Sequence, residues 1–174
     1  MHNSSQTLVI ITGPPGAGKS STARALAEII DGEVIDTDQL IEEASGKKIS
    51  EIFTDDGEPH FRELEEIAVD RALRHQSVKS KIISLGGGAV LSKMSQQRLR
   101  QSQGKIFFLD VSIAHAAPRI GFNRDRPLLV DNPRAKWVAL KQERQAIYES
   151  LADFIVNTDN KNAREVAQEI ASKL

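Results

Sequence analysis

Cysteine is missing altogether from this chain of 174 residues. That excludes disulfides, thiolate zinc sites and a cysteine nucleophile, and it suits a reducing cytoplasm. Aromatic residues are few, with one tryptophan and one tyrosine. Trp137 and Tyr148 read as packing residues, and no basic-aromatic stripe of the kind that binds single-stranded nucleic acid is present. A surplus of charge of one sign is also lacking: 23 Lys and Arg against 24 Asp and Glu leave −1. No global field therefore draws the chain to nucleic acid or to an anionic membrane. No apolar run approaches the roughly 20 residues of a membrane span. Residues 1–6 are polar and lack the apolar centre of a signal peptide. The four histidines (His2, His60, His75, His115) are scattered without metal-ligand spacing. There is no internal repeat, heptad seam or broad apolar stripe. The expectation is one cytoplasmic, monomeric domain spanning residues 1–174, of ordinary globular composition.

What is present begins at Gly13-Pro14-Pro15-Gly16-Ala17-Gly18-Lys19-Ser20. This is the G-x-x-x-x-G-K-[ST] pattern of a P-loop. It follows a β-branched apolar run, residues 7–12, and precedes a helix-forming run, residues 21–30, which is the order the motif needs. Glycines without a Cβ allow positive φ, so successive N–H groups can close on a phosphate as an anion nest. The helix beginning near Gly18 adds its positive dipole end. Lys19 supplies a point charge for the β- and γ-phosphates, and Ser20 a hydroxyl ligand for Mg²⁺. The plainer alternative is a glycine-rich strand-to-helix turn.

Further along, short apolar strands alternate with helices. Strands are expected at 33–36, 81–85, 105–110 and 154–156, with the first helix ended by Gly32. Helices are expected over 39–44, from Glu58 to about His75, near 95–102, over 133–151 and over 163–174. The helix after Glu58 shows an apolar stripe at Phe61, Leu64, Ile67, Ala68 and Ala72. Pro118 argues against a long helix after Ser112. The alternation predicts one α/β domain with a parallel sheet. The stretches about 38–75 and 120–133 read as insertions, the second a polar, turn-rich candidate for a mobile lid.

In such sheets ligands lie outside the carboxyl ends of the strands. Four polar features fall there: the P-loop, Asp36 with Asp38, Gly86-Gly87-Gly88, and Asp110. Asp36 and Asp38 are two apart on an expected extended segment, so alternation puts both carboxylates on one side. Beside a phosphate cradle they suit Mg²⁺ held through water and a base for a hydroxyl nucleophile; the alternative is helix capping by Asp38. The triple glycine suggests close backbone approach to a small ligand, or simply a turn. Arg62, flanked by Glu58, Glu65 and Glu66, reads from spacing as a solvated ion-pair face, and Arg144 reads the same way. Arg126, in an Arg-Pro loop, is either an arginine finger or a solvated side chain.

Taken together, the P-loop, Asp36-Thr37-Asp38, Phe61-Arg62-Glu63-Leu64-Glu65, Leu85-Gly86-Gly87-Gly88-Ala89-Val90, Arg126-Pro127-Leu128-Leu129 and Arg144 with Tyr148 form an ordered set. From about residue 7 onward that set resembles the shikimate kinase family. The resemblance implies a three-layer P-loop kinase fold like that of nucleoside monophosphate kinases, with a five-stranded parallel sheet in the order 2-3-1-4-5. It implies transfer of the ATP γ-phosphate to the 3-hydroxyl of shikimate, in the route to chorismate and aromatic amino acids. By that likeness Gly16, Ala17, Gly18, Lys19, Ser20 and Ser21 would hold ATP, with Arg119 against the adenine and Arg126 reaching from the lid onto the phosphates. Asp38 would hold the substrate hydroxyls and act as base or orienter. Arg62 and Arg144 would grip the carboxylate, Glu65 would orient Arg62, and Gly86, Gly87 and Gly88 would line the pocket. Ser20 would ligate Mg²⁺ directly and Asp36 through water. Two departures are visible: Ser21 where Thr is common, and Ala163 after Asn162 where Pro is frequent.

Overall fold

Val9, Ile10 and Ile11 are all fully buried, because β1 (Leu8–Thr12) lies at the centre of a parallel sheet with helices on both faces. The computed structural model describes residues 6–120 and 132–174. After β1 come α1 (Lys19–Ile30), β2 (Gly32–Asp36), α2 (Thr37–Ser45), α3 (Ile49–Asp55) and α4 (Gly57–Arg74). They are followed by β3 (Ser80–Ser84), α5 (Lys93–Gln101), β4 (Lys105–Asp110) and α6 (Ile113–Ile120). The described chain ends with α7 (Pro133–Leu151), β5 (Phe154–Asn157) and α8 (Ala163–Ala171). The sheet order is β2-β3-β1-β4-β5 and every pairing is parallel, as expected. The expected lid, about 120–133, falls almost wholly outside the described residues, and Arg126 with it.

Strand alternation splits the core in two. Val9, Ile11, Phe107 and Leu109 face a layer built with Leu26, Val166 and Ile170. Ile10, Ile83 and Phe108 face a layer built with Val69, Ala72 and Leu99. A third, smaller cluster, Ile41, Ile52, Phe61 and Ala68, holds α2, α3 and α4 together beside the cleft. Helix α7 belongs to both main layers: Trp137 packs into the first, Tyr148 and Leu151 into the second. Between them Lys141 donates to Val111 O at 2.7 Å and pairs with Asp110 at 2.7 Å. Helix α7 is thus pinned just beyond the carboxyl end of β4. Asp110, a strand-end carboxylate on sequence position, is engaged in this pairing and does not line the cleft.

Two local expectations are corrected. Asp31, at φ 48, ends α1, and Gly32 already belongs to β2. Ile67 is 62% exposed; the buried stripe of α4 runs Phe61, Glu65, Ala68, Val69, Ala72, and so includes the Glu65 carboxylate in place of Leu64 and Ile67. Pro118, expected to work against a long helix after Ser112, lies sixth of the eight residues of α6.

Candidate active site

The P-loop glycines take up the left-handed conformation the motif requires, Gly16 at φ 81 and Gly18 at φ 85. Gly18 N-caps α1 without any side-chain hydrogen bond to the first turn. The orphan amides of that turn and the helix dipole are therefore directed at the cleft, which makes it an anion site. Lys19 Nζ donates to Gly13 O at 2.9 Å and Pro14 O at 3.0 Å, so the lysine arches over the loop.

Asp36 and Asp38 meet the cleft for a different reason than strand alternation. The strand stops at Asp36, and Asp38 lies in the first turn of α2. Asp36, not Asp38, is the cap: its Oδ1 accepts from Asp38 N at 3.0 Å. Its other oxygen, Oδ2, accepts from Ser20 Oγ at 2.6 Å, and Ser84 Oγ lies 3.4 Å from Ser20 Oγ. One carboxylate thus ties the start of α2 to the start of α1. Thr37, fully buried between the two aspartates, accepts from Gly86 N through Oγ1 at 2.8 Å.

The triple glycine is a matter of space rather than of φ, since none of the three takes a positive value. A Cβ at Gly86 would come within 2.5 Å of Asp38 Oδ1 and 3.1 Å of Glu65 Oε1. At Gly88 it would overlap the Arg62 guanidinium, and at Gly87 it would approach Pro15 Cδ at 3.3 Å and Arg144 Nη1 at 3.7 Å. The close backbone approach expected from sequence is real, but it is made to the site's own side chains.

Arg62 and Arg144 do not belong to solvated faces. Arg62 Nη1 donates to Glu65 Oε2 at 2.6 Å and Nη2 to Glu58 Oε1 at 2.9 Å, holding the guanidinium flat against Gly88. Burial alone would lower its pKa, but Glu65 and then Glu58 outweigh burial and the net shift is upward. Arg144 is 5% exposed, and among the described residues its Nε has no hydrogen-bond partner. Beside it Tyr148 donates to Gly87 O at 2.6 Å. Burial pushes the Tyr148 pKa up to about 12, with Arg144 only partly opposing, so it stays a donor. Glu65 is 3% exposed; burial raises its pKa more than Arg62 lowers it, and the neighbouring Asp38 adds to the rise.

At the far end Arg119 Nη2 donates to Thr158 O at 3.1 Å and Lys161 O at 3.2 Å. Its Nη1 donates to Thr158 Oγ1 at 3.3 Å and Gly16 O at 3.4 Å. Four acceptors fix this guanidinium across the mouth of the P-loop. Asn162 caps α8 with Glu165 in a reciprocal capping box.

All of this opens on one cleft of about 960 Å³. Its lining includes Gly16, Ala17, Gly18, Lys19, Ser20, Ser21, Asp36, Asp38, Arg62, Gly87, Gly88, Arg119 and Arg144. Gly86 lies just behind that lining, with its amide turned to Thr37. Ile49, Phe53 and Phe61 form an apolar wall, the two rings 4.6 Å apart. Sequence reading missed Thr37, Ser84 and the polar tips of Trp137 and Tyr148. The signal for the last two was there: residues 137, 141, 144, 148 and 151 repeat at steps of four and three, the mark of one buried helix face.

The raised pKa of Glu65 has a consequence for stability. Just above the ordinary glutamate value of 4.5 the folded state keeps a proton that the unfolded state has lost. Stability therefore falls as pH rises through that window. Urea unfolding at a series of pH values is expected to show this fall in the wild type and a flatter profile in Glu65→Gln; identical profiles would contradict it.

Similarity to known proteins agrees with this geometry. A family model described as shikimate kinase matches residues 15–174. A shikimate kinase of Thermobifida fusca is 43% identical over 171 residues, covering 98% of this chain and 96% of that protein. A solved shikimate kinase of Acinetobacter baumannii, in complex with shikimate, superposes with TM-score 0.91 at 30% identity, covering 97% of this chain and 93% of that one. A solved gluconokinase of Sinorhizobium meliloti shares the fold at TM-score 0.59 and 20% identity, covering 95% of this chain and 90% of that one.

Proposed function

The chain belongs to the shikimate kinase family, and we propose that its cleft transfers the γ-phosphate of ATP to the 3-hydroxyl of shikimate, giving shikimate 3-phosphate and ADP. The observation that carries the acceptor's chemistry is the order of charges along Gly86-Gly87-Gly88. A carboxylate, Asp38, lies at the Gly86 end, the Arg144 guanidinium beside the middle glycine, and the Arg62 guanidinium at the Gly88 end. Two residues of chain span at most about 7 Å. An acceptor that reaches both ends is therefore a small molecule with hydroxyls for Asp38 and a carboxylate for the arginines. The apolar wall of Phe53 and Phe61 suits the carbon face of a ring.

In this reading the orphan amides of α1 and Lys19 bind the ATP phosphates, and Arg119 lies against the adenine. Asp38 orients the attacking hydroxyl and takes its proton. Arg62 and Arg144 hold the acceptor carboxylate by forked, charge-assisted hydrogen bonds, which fixes the hydroxyl in line with the γ-phosphate. Glu65 keeps the Arg62 fork in place. Arg126, outside the described residues, remains the proposed lid arginine on the phosphates. The Ser20 hydroxyl and the Asp36 carboxylate, 2.6 Å apart, are hard oxygen donors that fit Mg²⁺, one directly and one through water. When bound, that ion neutralises charge on the phosphates during transfer. With no heptad seam or broad apolar stripe in the sequence, we propose a monomer, acting in the cytoplasm where ATP is available. Among the described residues no helix is long and apolar enough to cross a membrane.

A coupled assay for ADP release with ATP and Mg²⁺ is expected to show turnover that depends on shikimate; ATP binding without such turnover would contradict the reading. In the same assay Arg144→Met should raise the shikimate KM by roughly 10- to 150-fold, the equivalent of a charged hydrogen bond of about 1.5–3 kcal/mol, with the ATP KM little changed. An unchanged shikimate KM would remove Arg144 from the carboxylate site.

A further inference from the structure

Two side chains on the buried face of α7 touch the two loops that the proposed reaction must bring together, and the mechanism above uses neither. Trp137 Nε1 donates to Pro15 O in the P-loop at 2.8 Å. Tyr148 donates to Gly87 O in the triple-glycine loop at 2.6 Å. The two accepting residues meet each other: a Cβ on Gly87 would lie 3.3 Å from Pro15 Cδ and 3.5 Å from Gly13 O. Trp137, Pro15, Gly87 and Tyr148 therefore form a closed ring, with about three turns of α7 as its fourth side.

We infer that Trp137 and Tyr148 are positioning residues that clamp the nucleotide cradle to the substrate loop, so that the two sub-sites act as one rigid body. Both clamps are backbone carbonyls, so each fixes the path of a loop rather than the rotamer of one side chain. Both donors are almost fully buried, in different core layers on the two faces of the sheet. The helix that carries them is pinned between those points by Lys141 on Val111 and Asp110. A carbonyl released at either end leaves the Pro15–Gly87 contact held from one side only. The effect should then reach the sub-site that the altered residue does not touch, and coupling between two sites is reciprocal in binding free energy.

This inference rests on the functional reading, and the test separates the two. Tyr148→Phe keeps the ring packing and Trp137→Phe keeps an aromatic ring in place of the larger indole; each removes one donor. Shikimate and ADP binding are measured by calorimetry, with KM and kcat from ADP release. Tyr148→Phe, which alters only the triple-glycine side, is expected to weaken ADP binding about 3- to 10-fold. Trp137→Phe, which alters only the P-loop side, is expected to raise the shikimate Kd by a similar factor, the size of one hydrogen bond. The double variant should lose no more than the worse single one, since either release opens the same ring. Either single variant suffices as a test if the other does not fold. Effects confined to the touched side, or additive losses, overturn the inference while leaving the functional reading intact. Wild-type protein without shikimate-dependent turnover overturns both.

Discussion

The contact on which the cleft depends is the approach of a bare backbone to three charged side chains. Gly86, Gly87 and Gly88 present no Cβ; Asp38 and Arg62 occupy the space a side chain would take at Gly86 and Gly88, and Arg144 lies against Gly87 between them. Each of those groups reaches the same short stretch of backbone from a different helix, α2, α7 and α4. The stretch itself is held from below by Thr37 on the Gly86 amide and by Tyr148 on the Gly87 carbonyl. Charge placement in the substrate half of the site is thus set by steric absence and by these two hydrogen bonds.

Burying such groups works against folding. A carboxylate at Glu65 and a guanidinium at Arg144 lose hydration that packing does not return. Glu65 responds by holding its proton more tightly, and it is compensated by Arg62. Arg144 retains a buried Nε without a partner among the described residues. Polar groups left in this condition are the expected signature of a site arranged for a charged ligand rather than for stability. Stability is supplied elsewhere, in the two layers of β-branched, leucine and phenylalanine side chains on either face of the sheet. The nucleotide half of the cleft follows the same division: its loop is anchored by glycine geometry and by α1, which is held to the core by Ala23 and Leu26.

Local features were legible in the sequence, and features that depend on how helices turn were not. The P-loop could be read because strand, glycines and helix are contiguous and each has a steric reason. The sheet followed from alternating apolar runs. Asp36 and Asp38 were assigned to the right place through the wrong geometry, since a strand that ends at Asp36 and a helix that starts at Thr37 also face the cleft. Arg62 and Arg144 read as surface ion pairs because charge spacing reports a helix face without saying where that face points. Their place in the cleft is set by the packing of α4 and α7. Resemblance to a family supplied what spacing lacked. The exposure of Ile67 and the burial of Glu65 have the same origin: the inner stripe of α4 is turned to serve the site rather than to maximise apolar burial.

The most direct test of this arrangement is the catalytic efficiency of Gly88→Ala. The added methyl would displace only the far end of the flexible Arg62 side chain. ADP binding is therefore expected to match the wild type and the melting temperature to fall, since Glu65 loses part of its pairing, while kcat/KM for shikimate falls by about two orders of magnitude, the scale of a misplaced charged contact. Wild-type kcat/KM in a correctly folded Gly88→Ala would show that Arg62 need not lie against the glycine backbone, and would contradict the account of the cleft given above.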